Sequence, residues 1–144
     1  SLKSNGLLER IERFIKNPDN FLLGICLGMQ ILCLESEEGS ENGMGIFNKK
    51  IKKFNNISIP HLGWNTVNIL KEDLLLNDIP NDSEFYFLHS FYLENDDSEF
   101  TVCSTNYNHL FSSIIKKNNI YGIQFHPEKS HKSGEKILIN FYNI

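Results

Sequence analysis

A cysteine between two glycines is the first group in this chain able to do chemistry. Residues 21–30 read Phe-Leu-Leu-Gly-Ile-Cys-Leu-Gly-Met-Gln, a short apolar run that passes through Gly-x-Cys-x-Gly into a helix-like stretch. This is the strand–turn–helix setting of a nucleophile elbow, with cysteine in place of serine. The chain must turn sharply there, and Gly24 and Gly28 remove side chains that would crowd the turn. Free N–H groups and the dipole at the start of the following helix favour a thiolate, so a lowered Cys26 pKa is expected. The N–H of Leu27 is the natural first donor of an oxyanion hole. Cys33 and Cys103 lack this setting and read as buried structural cysteines. Cys33 would lie ~10 Å along a helix from Cys26, too far for a disulfide.

A thiol nucleophile needs a base, and the base needs a third group to fix its tautomer. Residues 120–130 read Ile-Tyr-Gly-Ile-Gln-Phe-His-Pro-Glu-Lys-Ser. His126 ends a second apolar strand, the place where active-site groups collect in α/β sheets. Pro127 biases His126 toward an extended backbone. In an extended chain residues i and i+2 point to one side, so the His126 imidazole and the Glu128 carboxylate can meet. A His-Pro-Glu turn alone is more often structural; beside the elbow it makes Cys26, His126 and Glu128 a candidate triad. His109 and His131 read as surface residues.

These groups need a frame. Leu7, Leu8, Ile11, Phe14 and Ile15 recur at helical spacing among charged residues, which predicts an amphipathic helix ending near Asn17-Pro18. Residues 21–25 suit a strand buried on both faces. A buried helix over 27–34 follows, then an acidic, glycine-containing loop over 36–45. Residues 57–59, 66–70, 84–88 and 100–104 have strand character, with Asn and Asp clusters between them. Residues 120–125 form another strand, and 132–142 a closing helix with Ile137, Leu138 and Phe141 on one side. Buried strands flanked by helices predict an α/β layer fold with a mixed, largely parallel sheet. No repeat or linker divides the chain, so residues 1–144 read as one domain.

Composition narrows the functions. A chain of 144 residues can bury a core without staples. Its net charge of −4 argues against nucleic acid as a partner. No run approaches the ~20 apolar residues that span a bilayer, so no membrane is implied. Three cysteines without metal-ligand spacing indicate neither a disulfide framework nor a metal site, and a reducing, cytoplasmic setting is the default. The lack of alanine beside abundant Asn, Ile and Lys reads as coding bias.

The segments at 24–30 and 122–130 resemble the two signature blocks of class I, triad-type glutamine amidotransferases, in order and separation. Two further blocks, Pro-His-Leu-Gly-Trp-Asn at 60–65 and Phe-Tyr-Phe-Leu-His-Ser-Phe at 85–91, are similar to the glutaminase subunits of imidazole glycerol phosphate synthases. The resemblance covers essentially the whole chain and implies a flavodoxin-like α/β fold. It implies that Cys26 attacks the side-chain amide of glutamine, that His126 moves the proton, and that Glu128 orients His126. No cofactor is implied.

The resemblance further implies that Gly28, Gln30 and Glu38 bind glutamine, Glu38 at the α-amino group, with Ser90 and Phe91 lining the α-carboxylate side. The family usually has tyrosine at the position of Phe91, so a hydroxyl is lost. Pro60, His61, Gly63, Trp64, Asn65 and Lys129 match surface that meets a (β/α)8-barrel cyclase subunit, the expected heterodimer partner. Trp64 read alone is equally suited to a core. The family's opening strands and its glycine-containing loop, the source of a second oxyanion donor, have no counterpart here, so a truncated start is expected. Two other readings remain: a related amidotransferase feeding ammonia to another synthase, such as one that aminates a surface sugar, or a catalytically incomplete interaction module. A stand-alone cysteine hydrolase would leave residues 60–65, Gln30 and Glu38 unexplained.

Overall fold

The structure is a computed structural model that describes residues 6–96 and 99–144. In chain order its elements are α1 (Leu7–Ile15), β1 (Leu22–Ile25), α2 (Leu27–Leu32), β2 (Cys33–Ser36), β3 (Phe47–Lys53), β4 (His61–Thr66), β5 (Asn68–Ile69), β6 (Glu84–His89), β7 (Phe91–Leu93), β8 (Thr101–Tyr107), β9 (His109–Lys117), β10 (Ile120–Ile123) and α3 (His131–Tyr142). Short 3₁₀ turns sit at Leu74–Leu76 and Pro127–Lys129.

The strands form a five-stranded sheet in the order β1-β10-β9-β8-β5, a three-stranded sheet β2-β3-β7 and a two-stranded ribbon β4-β6. The expected α/β fold with a mixed sheet is present, but less of it is parallel than the apolar runs suggest. Only β1 with β10 and β2 with β3 pair in parallel among the described residues; the remaining pairings are antiparallel. The apolar run of β10 is buried by layers on both sides, a condition antiparallel strands can also meet.

β10 is the axis of the molecule. Tyr121 and Ile123 point into a large core with Phe85 and Phe87 of β6, Phe111 and Ile114 of β9, Phe125, and Ile137 of α3. Ile120 faces the other side, among Met29 and Leu32 of α2, Phe47 and Ile51 of β3, and Ile115. Gly122 shares that side because a Cβ there would stand 2.8 Å from Cγ of Met29. This period-two division puts one helix on each face of β10.

β1 differs from expectation. Among the described residues it pairs only with β10, at the sheet edge, and of its residues only Gly24 is buried. α1 forms where the spacing predicts, yet none of its side chains is buried. Leu7, Leu8 and Ile11 instead line a cavity of about 230 Å³ against Leu22, Leu23 and Ile25. The connection between α1 and β1 is tied down by the Asn119 side-chain amide, which donates to the carbonyls of Ile15 and Asn17 at 3.2 Å and to that of Asn20.

Other boundaries move for local reasons. The stretch expected to be helix over 27–34 breaks at Cys33, which turns extended and pairs with Phe47 of β3. Residues 57–59 are not a strand; pairing begins at His61, just after a cis Ile59–Pro60 bond. β3, β4, β7 and β9 have no counterpart among the expected strands. Among the described residues no helix is long and apolar enough to cross a membrane.

Candidate active site

Cys26 stands where β1 ends and α2 begins, with φ 51° and ψ −105°. A positive φ at a non-glycine residue is strained, and it is the conformation a nucleophile elbow needs. The turn is held by the Cys26 N–H donating to the Ile123 carbonyl at 2.8 Å, and by the Gln30 N–H donating to the Cys26 carbonyl at 3.2 Å. Gly24 is required here: a Cβ would lie 2.8 Å from the backbone of Gly28. Gly28 itself has open space around the same position, so crowding does not explain it.

The Sγ of Cys26 lies 3.7 Å from the Leu88 carbonyl and 3.7 Å from the Gln124 side-chain amide, which donates to it. Burial is the largest influence on this thiol and pushes its pKa up; the Leu27 N–H and the Gln124 amide oppose it, while the charges of Glu128 and Glu38 add to the rise. The expected lowering is therefore not found in the resting protein. α2 has six residues, and its dipole does not outweigh desolvation. Cys33 and Cys103 are buried, and burial pushes each up to about 12, which suits inert structural thiols.

β10 runs parallel to β1 with Ile25 opposite Ile123, so the continuation of β10 carries His126 past the elbow. The His126 backbone is extended, as the following proline requires. Its Nδ1 lies 2.7 Å from Oε1 of Glu128. The pair meets for a different reason from the one expected. Pro127–Lys129 form a 3₁₀ turn, which folds Glu128 back onto the ring. Ser130 pins that turn: its hydroxyl donates to the His126 carbonyl at 2.6 Å and accepts the Tyr86 N–H at 2.9 Å. With Nδ1 engaged by the carboxylate, Nε2 is the nitrogen left for a thiol or leaving group.

A cavity of about 210 Å³ opens beside the elbow, lined by Leu27, Gln30 and Glu38 together with Ile31 and Glu41. Three of the residues assigned to glutamine and its oxyanion thus come together. Gly28 does not; it lines the separate cavity under α1. Ser90 and Phe91 contribute backbone here. The Ser90 carbonyl accepts the Phe54 N–H, and the Phe91 carbonyl accepts the Gln30 side chain at 3.1 Å. The Phe91 ring packs against the Met29 side of the core.

Trp64 is 45% exposed and Leu62 60% exposed on β4. The Trp64 ring meets Tyr86 edge-on and lies beside His131, and Lys129 sits over the Tyr86 ring. Lys129 joins this surface, next to the His126–Glu128 turn, whereas Gly63 is half-buried and falls on the other side of the β4 alternation, with His61 and Asn65. His61 does not belong to it. Alternation along β4 turns His61 inward, where it is buried between Phe87 and Tyr107 and bonded to His89. Asn65 bonds inward to His61 and to the Asn106 carbonyl. His131 is exposed as expected, whereas His109 is half-buried against Tyr92 and Phe54.

The model of the glutamine amidotransferase class-I family matches residues 3–144. The chain belongs to the class-I glutamine amidotransferases. It is 41% identical to the imidazole glycerol phosphate synthase subunit HisH of Leptospira borgpetersenii, over 99% of this chain and 73% of that protein. It is 43% identical to subunit HisH 2 of Methanococcus maripaludis, over 98% of this chain and 71% of that one. In fold, this amidotransferase resembles a putative GMP synthase component from Thermoplasma acidophilum, with TM-score 0.69 and 22% identity over 98% of this chain and 65% of the other. A glutamine amidotransferase from Thermotoga maritima superposes with TM-score 0.66 at 17% identity, over 99% of this chain and 54% of that one. The amidotransferase residues that sequence reasoning missed are Gln124, which touches Sγ, and Ser130. Both lie inside the second signature block; position relative to His126 was the available signal.

Proposed function

We propose that this protein is the glutaminase subunit of an imidazole glycerol phosphate synthase. Glutamine enters the cavity of Leu27, Gln30 and Glu38, its α-ammonium facing Glu38. The Cys26 thiol passes its proton to His126, and the sulfur attacks the side-chain amide carbon. Burial keeps the thiol protonated at rest, so the thiolate forms only as His126 becomes an imidazolium stabilised by Glu128. The amide C–N bond then breaks, and the nitrogen leaves as ammonia with the proton from His126. Water, activated by the same imidazole, hydrolyses the glutamyl thioester to glutamate and restores the thiol. The Leu27 N–H stabilises the oxyanion in both steps.

The ammonia passes to a (β/α)8-barrel cyclase subunit, which builds it into imidazole glycerol phosphate and releases aminoimidazole carboxamide ribotide in histidine biosynthesis. The surface of Trp64 and Lys129, with Pro60 at its edge, is where that partner docks. A cytoplasmic setting fits the three free thiols. The observation that carries this reading is the Cys26 elbow on β1 beside the β10 continuation that bears the His126–Glu128 pair. Glutamate release, measured on this protein in complex with a cyclase partner, tests it. Glutamine-dependent synthesis that ceases when this protein is withheld, and is restored by free ammonia, is the expected result; glutamate release unaffected by Cys26→Ala would overturn it.

A further inference from the structure

An unbroken run of buried and half-buried polar contacts joins the surface strand β4 to Cys26. The Asn65 side chain lies 3.2 Å from Nε2 of His61. Nδ1 of His61 lies 2.9 Å from Nε2 of His89. Nδ1 of His89 lies 2.8 Å from the Phe91 carbonyl. The same carbonyl accepts Nε2 of Gln30, which also donates to Oε1 of Gln124 at 3.2 Å. Gln124 then donates from Nε2 to the Cys26 sulfur.

Only one proton arrangement satisfies every member. A carbonyl can only accept, so His89 carries its proton on Nδ1 and presents Nε2 as acceptor. His61 must therefore donate from Nδ1, which leaves its Nε2 to accept from Asn65. Both rings are buried, and burial pushes His61 down to about 4 and His89 to about 3, so both are neutral. The direction of donation reverses at the Phe91 carbonyl, which receives from both sides. The run therefore cannot shuttle a proton, but it can fix geometry. Gln30 donates both to the Phe91 carbonyl and to Gln124, and the last donor of the run, Gln124, faces the reacting sulfur.

We propose that His61 and His89 are positioning residues for the Cys26 thiol, acting through the Phe91 carbonyl, Gln30 and Gln124. This rests on the reading of Cys26 as nucleophile. His89 holds the carbonyl that, with Gln124, fixes the Gln30 amide. Gln30 in turn orients Gln124, whose N–H favours the thiolate over the thiol. Because Asn65 is the outer end of the run, β4 and the nucleophile share one set of contacts.

The test uses the complex with the cyclase partner and reads both steady-state glutamine hydrolysis and the pH profile of Cys26 alkylation by iodoacetamide, with the modified residue located by mass spectrometry. His89→Leu is expected to lower kcat about tenfold and to move the alkylation profile to higher pH, since one orienting hydrogen bond is lost. His89→Asn, which can still donate toward the Phe91 carbonyl, is expected to restore most of both. His61→Phe keeps a ring between Phe87 and Tyr107 while removing the donor to His89 and the acceptor for Asn65, so it serves if His89→Leu fails to fold; its shift is expected in the same direction. An unchanged profile and kcat in the folded variants, or an equal loss in His89→Leu and His89→Asn, would overturn the proposal. Should Cys26→Ala still hydrolyse glutamine, the nucleophile reading fails by itself, because the alkylation profile reports the positioning without reference to turnover.

Discussion

β1 and β10 lie side by side, lead at the same end into the proposed nucleophile and the proposed base, and are supported in opposite ways. Every residue of β10 is buried and both its edges are paired. β1 has one paired edge and a single buried residue. His126 therefore follows a fully buried strand paired on both edges, while Cys26 takes its support from groups outside its own strand. The Cys26 N–H is held by Ile123 and its sulfur by Gln124, both from the β10 segment, and Leu88 of β6 accepts from the thiol. A strained elbow on a lightly covered strand keeps its shape because β10 dictates it.

Short of removing Cys26 itself, the largest effect should come from the β10 side. His126→Ala removes the base, and glutamate release is expected to fall by at least the ~10²–10⁴ that general-base catalysis contributes. Glu128 is half exposed, so solvent takes over part of its work. Glu128→Gln is accordingly expected to cost less than the ~10²-fold that marks loss of a base. Equal losses in steady-state kinetics would mean that the turn after β10 is required as a unit.

Glycine substitutions separate the two strands next. At Gly24 the obstacle is the backbone of Gly28, which cannot move without opening the elbow. Gly24→Ala should cost toward the upper end of the ~1–3 kcal/mol typical of overpacking, and glutaminase activity should fall with it. At Gly122 the obstacles are side chains of Met29 and Ile115, which can shift, so Gly122→Ala should be milder. Denaturant unfolding of the two variants in parallel checks the order.

Acid should act on the buried half. His61 of β4 and His89 of β6 titrate near 6.5 when unfolded, and only at about 4 and about 3 when folded. Between those values the unfolded chain binds more protons, so stability is full above pH ~6.5 and falls as pH drops toward 4. Each proton taken up only by the unfolded chain contributes about 1.4 kcal/mol per pH unit in that window. Thermal melts from pH 7 to pH 4.5 should show the loss, and His61→Phe should reduce its slope. The smallest effect expected is in hydrogen exchange: amides of β1 should exchange before those of β10, reflecting the free edge.

The legibility of these regions follows the same division. Cys26, His126 and Glu128 are readable because each motif is local: a turn, a strand end, a proline. α1 and α3 are readable from periodicity, and β1 and β10 from short continuous apolar runs. β3 is hidden because Phe47 and Ile51 are four residues apart with a half-buried lysine, Lys49, between them on the same face, and β9 because Ser112 and Ser113 are buried within its apolar run. His61 is misplaced by its motif because a polar ring in a surface-like segment gives no sign of the strand alternation that turns it inward. The free edge of β1 cannot be read at all, since an apolar run does not say how many neighbours it has.

The central claim is that Cys26 is the nucleophile without which no ammonia is freed from glutamine. The most direct measurement places Cys26→Ala in complex with the cyclase partner and follows glutamate release and imidazole glycerol phosphate formation, first with glutamine and then with an ammonium salt. Both glutamine-driven signals should vanish while ammonia-driven synthesis continues at the rate of the unaltered complex. Continued glutamate release in Cys26→Ala would contradict the account.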